Sequence, residues 1–232
     1  MTAQFEDTII YNQERYSITA ETDSIDFDPW EYGLEPESIC TACWSGYWCE
    51  YKITDSELYL HKLYIHNKGN EYPKLNGKRV KMFPRFMRSL FHRVYKPKIH
   101  MQYTGKILLG KDFIDEYYIH MGFQRPYSYR TLIELVFSEG RLIECIDHSQ
   151  AAERIRESID TSKRNWEMGD DSTVKFVSEA FSRDYKTKAW WLDEEQWVKE
   201  IEKEKTRDLT RKQVPQETLL NDWDPFKYDC RV

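Results

Sequence analysis

Hydrophobic and polar residues alternate along much of the first two thirds of the chain, which is the pattern of strands that bury one face. The clearest run begins at Tyr47, which shares one face of the predicted strand with Cys49 and Tyr51. A polar break at residues 54–57 follows, and the alternation then resumes over residues 58–65. Two β-prone runs joined by a short polar break predict an antiparallel hairpin.

Two further hairpins are predicted on either side of this central one. Residues 7–20 alternate on both sides of Asn12 and Gln13. Residues 131–146 alternate on both sides of a polar turn at 138–141. Three hairpins predict a sheet that is largely antiparallel.

The apolar spacing changes from the period of a strand to that of a helix in two regions. Between Pro84 and Val94 it predicts a short helix with one apolar and one basic side, because proline is favoured in the first turn of a helix. Ser149 is the predicted N-cap of a first C-terminal helix. Apolar residues at helical spacing predict two more helices, over residues 173–185 and 192–207.

These elements predict an α+β protein in two parts. Residues 1–147 form an antiparallel, aromatic-rich sheet built from hairpins with one inserted short helix. Residues 148–232 form a helical C-terminal extension that docks on the sheet or on a partner, because five of the eight tryptophans lie after residue 160.

Composition limits the function classes. The 232 residues are enough to bury a core, and 32% of them are charged. The N-terminus lacks the basic and apolar regions of a secretory signal, and no run reaches the roughly 18 apolar residues that span a membrane. The odd number of cysteines, five, is not typical of a disulfide framework. We therefore expect a cytoplasmic location without membrane contact.

Charge is strongly segregated although the net charge is only -6. Eight acids and no Lys or Arg lie between Tyr16 and Tyr51, whereas eleven bases and no acids lie between Tyr72 and Lys111. Blocks of this kind often mark interaction surfaces. Two blocks that faced each other in the fold, or lay as solvated faces, would give the same sequence.

A Cys-x-x-Cys motif, Cys40 and Cys43, has the one local spacing that indicates chemistry. As a zinc site it needs four ligands, with Cys49 as the third and His61 or His66 as the fourth. A redox dithiol is normally placed at a helix N-terminus, but an aromatic strand follows here. Small buried thiols are the alternative interpretation, which requires no cofactor.

The basic block is the second candidate for chemistry, because bases interleaved with aromatic residues suit phosphate neutralisation and base stacking. The candidate nucleic-acid-binding residues are Lys78, Arg79, Lys81, Arg85, Arg88, Arg93, Lys96 and Lys98. The same aromatic residues also fit the apolar face of a short helix, where they would be core. No signature of a known nucleic-acid-binding motif accompanies the block.

A resemblance to known proteins appears along residues 33–147. The quoted stretches are Trp44-Ser45-Gly46-Tyr47, Glu50-Tyr51-Lys52-Ile53, Leu58-Tyr59-Leu60, Gly105-Lys106-Ile107-Leu108-Leu109 and His120-Met121-Gly122-Phe123. They resemble an aromatic-x-Gly-Tyr turn, a Leu-Tyr-Leu strand and a His-Met-Gly-aromatic element of a family of small β-rich bacterial proteins. Ser45 stands where that family carries arginine. The family is similar in style to immunity and accessory proteins of bacterial conflict systems.

The leading functional hypothesis is a non-enzymatic, cytoplasmic bacterial protein that acts through contacts with another protein, or with a second copy of itself, as an immunity-like or regulatory subunit. Tryptophan and tyrosine are enriched at interfaces, and both are abundant here. The predicted partner-binding residues are Trp44, Gly46, Tyr47, His120 and Gly122. A nucleic-acid-binding module is one alternative, and a metalloprotein or enzyme centred on Cys40, Cys43 and Cys49 is the other. His120 is also a candidate base or ligand, or a hydrogen-bonded core residue.

Overall fold

The computed structural model divides the chain into two compact units, Met1–Trp190 and Trp191–Val232. The residues that it describes are 2–25, 27–38, 40–82, 93–158 and 177–192. The change from strands to helices after residue 147 falls inside the first unit. Of the second unit, only Trp191 and Leu192 are described.

The first unit is built on one sheet of ten strands. The strands are β1 (Thr8–Tyr11), β2 (Glu14–Glu21), β3 (Tyr47–Thr54), β4 (Glu57–Ile65), β5 (Lys81–Met82), β6 (Arg93–Tyr95), β7 (Ile99–His100), β8 (Gly105–Phe113), β9 (Tyr129–Ser138) and β10 (Arg141–Asp147). Their order is β10-β9-β8-β2-β1-β3-β4-β6-β5, and β7 pairs with β4. Neighbours are antiparallel except β1 and β3, which are parallel. The predicted large, mainly antiparallel sheet is confirmed.

The three predicted hairpins are all present, and each has a two-residue turn. The turn residues are Asn12-Gln13, Asp55-Ser56 and Glu139-Gly140, and φ is positive at all six. Positive φ at both central positions matches the right-handed twist of the flanking strands. The hydrophobic alternation and the polar breaks were therefore sufficient to place these elements.

The sheet curls until β10 also pairs with β4. At this closure Leu142 N donates to Ser56 O at 2.7 Å, and Leu58 N donates to Gly140 O at 2.9 Å. The turns of the second and third hairpins thus lie against each other. Seven strands, β4-β3-β1-β2-β8-β9-β10, form a closed ring, and closure of a sheet removes unpaired edges.

The core lies inside this ring, because alternate residues of every strand point to it. Its largest fully buried side chains include Tyr95, Phe137, Ile9, Ile18, Leu34 and Leu60. Aromatic rings contribute much of the volume, since Tyr51 and Tyr103 are buried in the same cluster. The predicted aromatic-rich character of the sheet is therefore seen in its core.

Helix α1 (Ser149–Ser158) packs against β9 and buries Ala152 and Ile155. These two side chains lie three positions apart and form the apolar face of the helix. The helix begins at Ser149, so Ser149 is its first residue and not its N-cap. The Ser149 hydroxyl instead accepts a hydrogen bond from Leu132 N at 3.0 Å, which ties the start of the helix to β9.

The continuous helix predicted over residues 173–185 is interrupted. Residues 177–181 are helical, residues 182–184 are not, and a separate helical turn, α2 (Tyr185–Lys188), follows. Asp184 caps that turn through its side chain. The interruption lets Arg183 reach Asp7, which precedes β1, and the buried Glu21 of β2.

The prediction of a helix from Pro84 to Val94 is wrong at its end, because Arg93 and Val94 belong to β6. Backbone pairing with β4 and β5 decides the structure there in spite of the helical spacing. The rest of that predicted helix, residues 83–92, lies outside the described residues. Residues 193–207 of the last predicted helix do so as well.

Candidate functional site

A cavity of about 220 Å³ is enclosed by the start of β1, the end of β2, the start of β3, the segment that follows β2, and Arg183. Its lining combines carboxylates, a guanidinium group, a thiol and aromatic rings, namely those of Asp7, Glu21, Asp28, Arg183, Cys49 and Tyr51. We call it the acidic cavity, because three carboxylates face one cation.

Arg183 connects two of these carboxylates. Its Nη1 lies 2.6 Å from Asp7 Oδ2, and its Nη2 lies 3.0 Å from Glu21 Oε1. Burial lowers the pKa of Arg183, but the charges of Asp7 and Glu21 outweigh burial and raise it. Burial raises the pKa of Glu21, although the Arg183 charge opposes the rise. Arg183 therefore remains a cation, and its charge is shared between two acids.

The thiol and the phenols of the cavity are poor nucleophiles at neutral pH. Burial, followed by the charge of Asp7, raises the pKa of Cys49. Burial also raises the pKa of Tyr51 and of Tyr47. A thiol reacts as its thiolate, so a raised pKa leaves Cys49 in its neutral, unreactive form. The thiol and the two phenols therefore contribute apolar surface and uncharged hydrogen-bonding groups to the cavity.

An acidic surface lies beside the cavity, and we define it by the exposed residues Asp23, Asp28, Trp30, Glu31, Tyr32, Glu35 and Glu37. A 3-10 turn, Pro29–Tyr32, with Asp28 as its N-cap, holds the two aromatic side chains outward. Trp30 is 58% exposed and Tyr32 is 37% exposed. The 3-10 turn is the regular element within this segment.

The acidic and basic blocks of the sequence do not neutralise each other through ion pairs in the described part of the chain. Glu50 lies against Arg15 and Lys62, and Glu21 lies against Arg183. In the basic block, Lys106 pairs with Glu134 and Lys111 pairs with Glu14. Every one of these partners lies outside the opposite block.

The structure brings two of the predicted partner-binding residues to the N-terminal segment. Trp44 is 49% exposed and stacks on Phe181, with ring centroids 4.6 Å apart. Gln4 accepts a hydrogen bond from Trp44 N with its side chain at 3.2 Å, and its own N donates to Gly122 O at 2.8 Å. Trp44 and Gly122 thus flank Gln4 on opposite sides.

The other predicted partner-binding residues have different surroundings. Gly46 has φ +76 and lies so close to the backbone of Glu37 that an added Cβ would be 2.6 Å from Glu37 N. Tyr47 lines the acidic cavity. His120 is exposed and packs edge-on against Tyr118. Gly122 likewise faces a backbone, since an added Cβ would be 2.1 Å from Ala180 O. Both glycines are required by close packing.

The three cysteines proposed as zinc ligands are free thiols. Cys40 is exposed, whereas Cys43 and Cys49 are buried. Burial raises the pKa of Cys43 to about 11. Among the described residues, no three His, Cys, Asp or Glu side chains are grouped so that they could hold a metal ion.

Five of the predicted nucleic-acid-binding residues, Lys78, Arg79, Lys81, Lys96 and Lys98, are exposed. Arg93 is half-buried, with its guanidinium 5.7 Å from the ring centre of Tyr72. Lys98 lies over the ring of Tyr59, with its Nζ 5.4 Å from the ring centre. Arg85 and Arg88 lie outside the described residues.

A second buried carboxylate, Glu134, is contacted by three groups, one from β8, one from the residue that follows β10 and one from α2. Glu134 Oε1 accepts from Lys106 Nζ at 3.1 Å, Oε2 accepts from the Tyr185 hydroxyl, and His148 Nε2 lies 3.7 Å away. Burial acts to raise the pKa of Glu134, but His148, Tyr185 and Lys106 together lower it to about 2. Glu134 is therefore ionised in the folded protein.

Sequence reasoning missed Asp7, Glu21 and Arg183 as a group. Their positions are far apart in the chain, and neither acid stands out from its neighbours by spacing. One usable signal was Glu21, which comes directly after Ala20 at the end of the alternating strand β2. A buried acid needs a cationic partner, but its identity could not be read from local pattern.

Comparison with protein-family models, with curated proteins and with solved structures found no match. No helix in the described ranges has both the length and the apolar content needed to cross a membrane. The arguments for function therefore rest on the geometry and charge of the chain itself.

Proposed function

We propose that this chain is a non-enzymatic, cytoplasmic binding protein that holds a basic partner protein through its acidic surface. The observation that carries the proposal is the exposure of Trp30 and Tyr32 among five exposed carboxylates, in a stretch without Lys or Arg. The resemblance to small immunity-type and accessory proteins supports the same kind of function.

Aromatic and charged residues have different roles in protein interfaces. Aromatic side chains supply much of the binding energy, because they bury a large area on association. Complementary charges around them speed association and reject partners of the wrong charge. Trp30 and Tyr32 have the first property and the surrounding carboxylates have the second.

The acidic surface is available to another molecule because most of its carboxylates form no ion pair with the described residues. No basic side chain of the described residues lies within ion-pairing distance of Asp23, Asp28, Glu31 or Glu35. Glu37 alone has a near base, since its carboxylate lies 3.7 Å from His66. Trp44, on the turn packed against Glu37, extends the surface.

We also infer that the region after residue 147 completes an α+β fold as a helical section. Helix α1, which packs on β9, supports this, and so do the helical residues 177–181. In this proposal the section docks on the sheet or on the partner.

The test compares partner binding by two matched double variants. Trp30→Ser with Glu31→Gln removes one aromatic and one acidic group from the acidic surface. Ile143→Ser with Glu144→Gln removes one aliphatic and one acidic group at exposed positions of β10, where Ile143 is 62% exposed. Light scattering first shows whether the partner is a second copy. Quantitative co-purification from the native host, repeated at rising salt, identifies any other protein.

We expect the wild type and the β10 variant to retain the same partner, and the Trp30/Glu31 variant to lose it. Salt should weaken the wild-type complex because the charges are exposed. Equal retention by both variants would contradict the proposal, and so would a wild-type protein that is monomeric and has no partner.

Nucleic-acid binding is a second candidate function, favoured by the exposure of Lys78, Arg79, Lys96 and Lys98. None of the four forms an ion pair with a described residue. Exposed bases of this kind release counterions when they neutralise phosphates. Fluorescence anisotropy with a short single-stranded RNA should show affinity that falls steeply with salt and falls further in a Lys96→Gln/Lys98→Gln variant. Absence of binding at low salt would exclude this function.

A further inference from the structure

The acidic cavity carries an excess of negative charge that the fold itself does not cancel. Among the described residues that line it, Asp7, Glu21 and Asp28 are carboxylates and Arg183 is the one cation, which leaves a formal charge of -2. Nη1 of Arg183 is already paired with Asp7, and Nη2 is already paired with Glu21. The cavity therefore attracts a cation and has no free cationic group to hold an anion.

The walls of the cavity suit an organic cation. The rings of Phe27, Tyr47 and Tyr51 line it together with the side chain of Ile25. Aromatic faces attract ammonium and guanidinium groups, most strongly where water is excluded. Carboxylates at the same site provide charge-assisted hydrogen bonds to the N–H groups of such a ligand.

We propose that the acidic cavity binds a small organic cation whose charged group is an alkylammonium or alkylguanidinium. The volume, about 220 Å³, is below the roughly 300–1,000 Å³ of pockets for drug-sized ligands, so the ligand is a short-chain molecule. Asp28 contributes a carboxylate at the rim, and the aromatic rings contact the charged group and the alkyl carbons next to it. This site does not depend on the partner proposed above, because a free ligand can fill it in the isolated protein.

Asp28 is the best position for a test, because it is exposed and its replacement leaves the core unchanged. Its Oδ1 accepts from Trp30 N at 2.9 Å, which is an N-cap contact. Asparagine is as good an N-cap as aspartate, so Asp28→Asn removes the charge and preserves the turn. Asp23→Asn is the matched control, since Asp23 is exposed in the same segment but does not line the cavity.

The experiment is a titration of the isolated protein with butylammonium and butylguanidinium, followed by protein NMR shifts, with butanol and butylurea as uncharged counterparts. We expect saturable binding of a cation, with shifts at Ser24, Tyr47 and Cys49, and at least tenfold weaker binding of its uncharged counterpart. Asp28→Asn should weaken cation binding about five- to tenfold, and Asp23→Asn should change it less than twofold.

Equal binding of charged and uncharged probes would overturn the proposal, and so would cation shifts outside the cavity or equal loss in the two variants. The same titration, repeated with the partner protein present, separates the two sources of such a cation. If the cation is a Lys or Arg side chain of the partner protein, the bound probe will compete with that partner. If it is a free metabolite, probe and partner will bind together. A failed titration leaves partner binding by Trp30 and Glu31 intact, so the two proposals fail separately.

Discussion

The carboxylates of the sheet and those of the acidic surface differ in what surrounds them. Glu21, Glu50 and Glu134 are 5%, 1% and 1% exposed, and each faces a cation supplied from another part of the chain. The carboxylates of the acidic surface are exposed, and only Glu37 has a basic neighbour among the described residues. The buried acids are thus part of what holds the fold, whereas the exposed ones leave their charge to another molecule.

The buried acids also explain how the segment after α1 is fixed to the sheet. Arg183 reaches Asp7 and Glu21, and Tyr185 reaches Glu134. Between residues 177 and 188 the segment is therefore anchored by polar contacts as well as apolar ones, since Ala180 is buried and Phe181 stacks on Trp44. A polar anchor is specific in position, because each buried charge is stable only opposite its partner.

The largest expected effect follows from removing the shared cation. Arg183→Met leaves Asp7 and Glu21 facing each other without a counter-charge, and we expect a loss of about 3–5 kcal/mol in the free energy of unfolding. Urea denaturation measures it. The control is Lys111→Met, which breaks a more exposed pair with Glu14 and should cost much less. Equal losses would show that the Arg183 network is not structural.

Acid titration of stability tests the second buried carboxylate. The pKa of Glu134 is lowered from 4.5 to about 2, so the folded protein binds that proton less tightly than the unfolded chain does. Its contribution is present above pH 4.5 and is lost as the pH falls towards 2. We expect Glu134→Gln to cost on the order of 3 kcal/mol at pH 7 and to match the wild type near pH 2. A difference that is constant with pH would contradict this assignment.

The same contrast shows what the sequence could and could not predict. The three hairpins were predictable, because alternation and short polar breaks are local signals that β1 to β4, β9 and β10 all carry. The parallel pairing of β1 with β3 was not predictable, since it depends on which distant strands meet. Val94 was misassigned because helical spacing over a few residues yields to the pairing of β6 with its neighbours.

In the candidate site, too, one part could be predicted from the sequence and another could not. The acidic surface was visible in the sequence as a stretch without bases, and Trp44 and Tyr47 were selected near it. The acidic cavity was not visible, because it needs Arg183 to be placed beside Asp7 and Glu21 by the closed ring and the broken helix. Local pattern predicts exposed charge, whereas buried charge depends on long-range contacts.

A smaller effect is expected where a buried, ionised acid loses one hydrogen bond from a neutral donor. Tyr185→Phe takes the hydroxyl donor away from Glu134 but leaves Lys106 in place. Hydrogen bonds to charged groups contribute about 1.5–3 kcal/mol, and we expect a loss in that range by urea denaturation. Tyr32→Phe is the control on the exposed side and should change stability by less than about 0.5 kcal/mol. Similar values for both would mean that the Glu134 contact contributes little.

The smallest effect is expected on the acidic surface, and it is the one that decides whether its charges are free. Glu31→Gln with Glu35→Gln removes two exposed charges from a surface of like charges, so stability should stay within about 0.5 kcal/mol of the wild type. Any gain should be seen at low salt and disappear at high salt, because screening already weakens repulsion between exposed charges. Glu50→Gln, at a buried acid of the same sequence block, should instead lose at least about 1 kcal/mol, since Arg15 and Lys62 lose their partner. Destabilisation of the double variant as large as that of Glu50→Gln would mean that Glu31 and Glu35 are engaged within the molecule, and the acidic surface would then have no free charge to offer a partner.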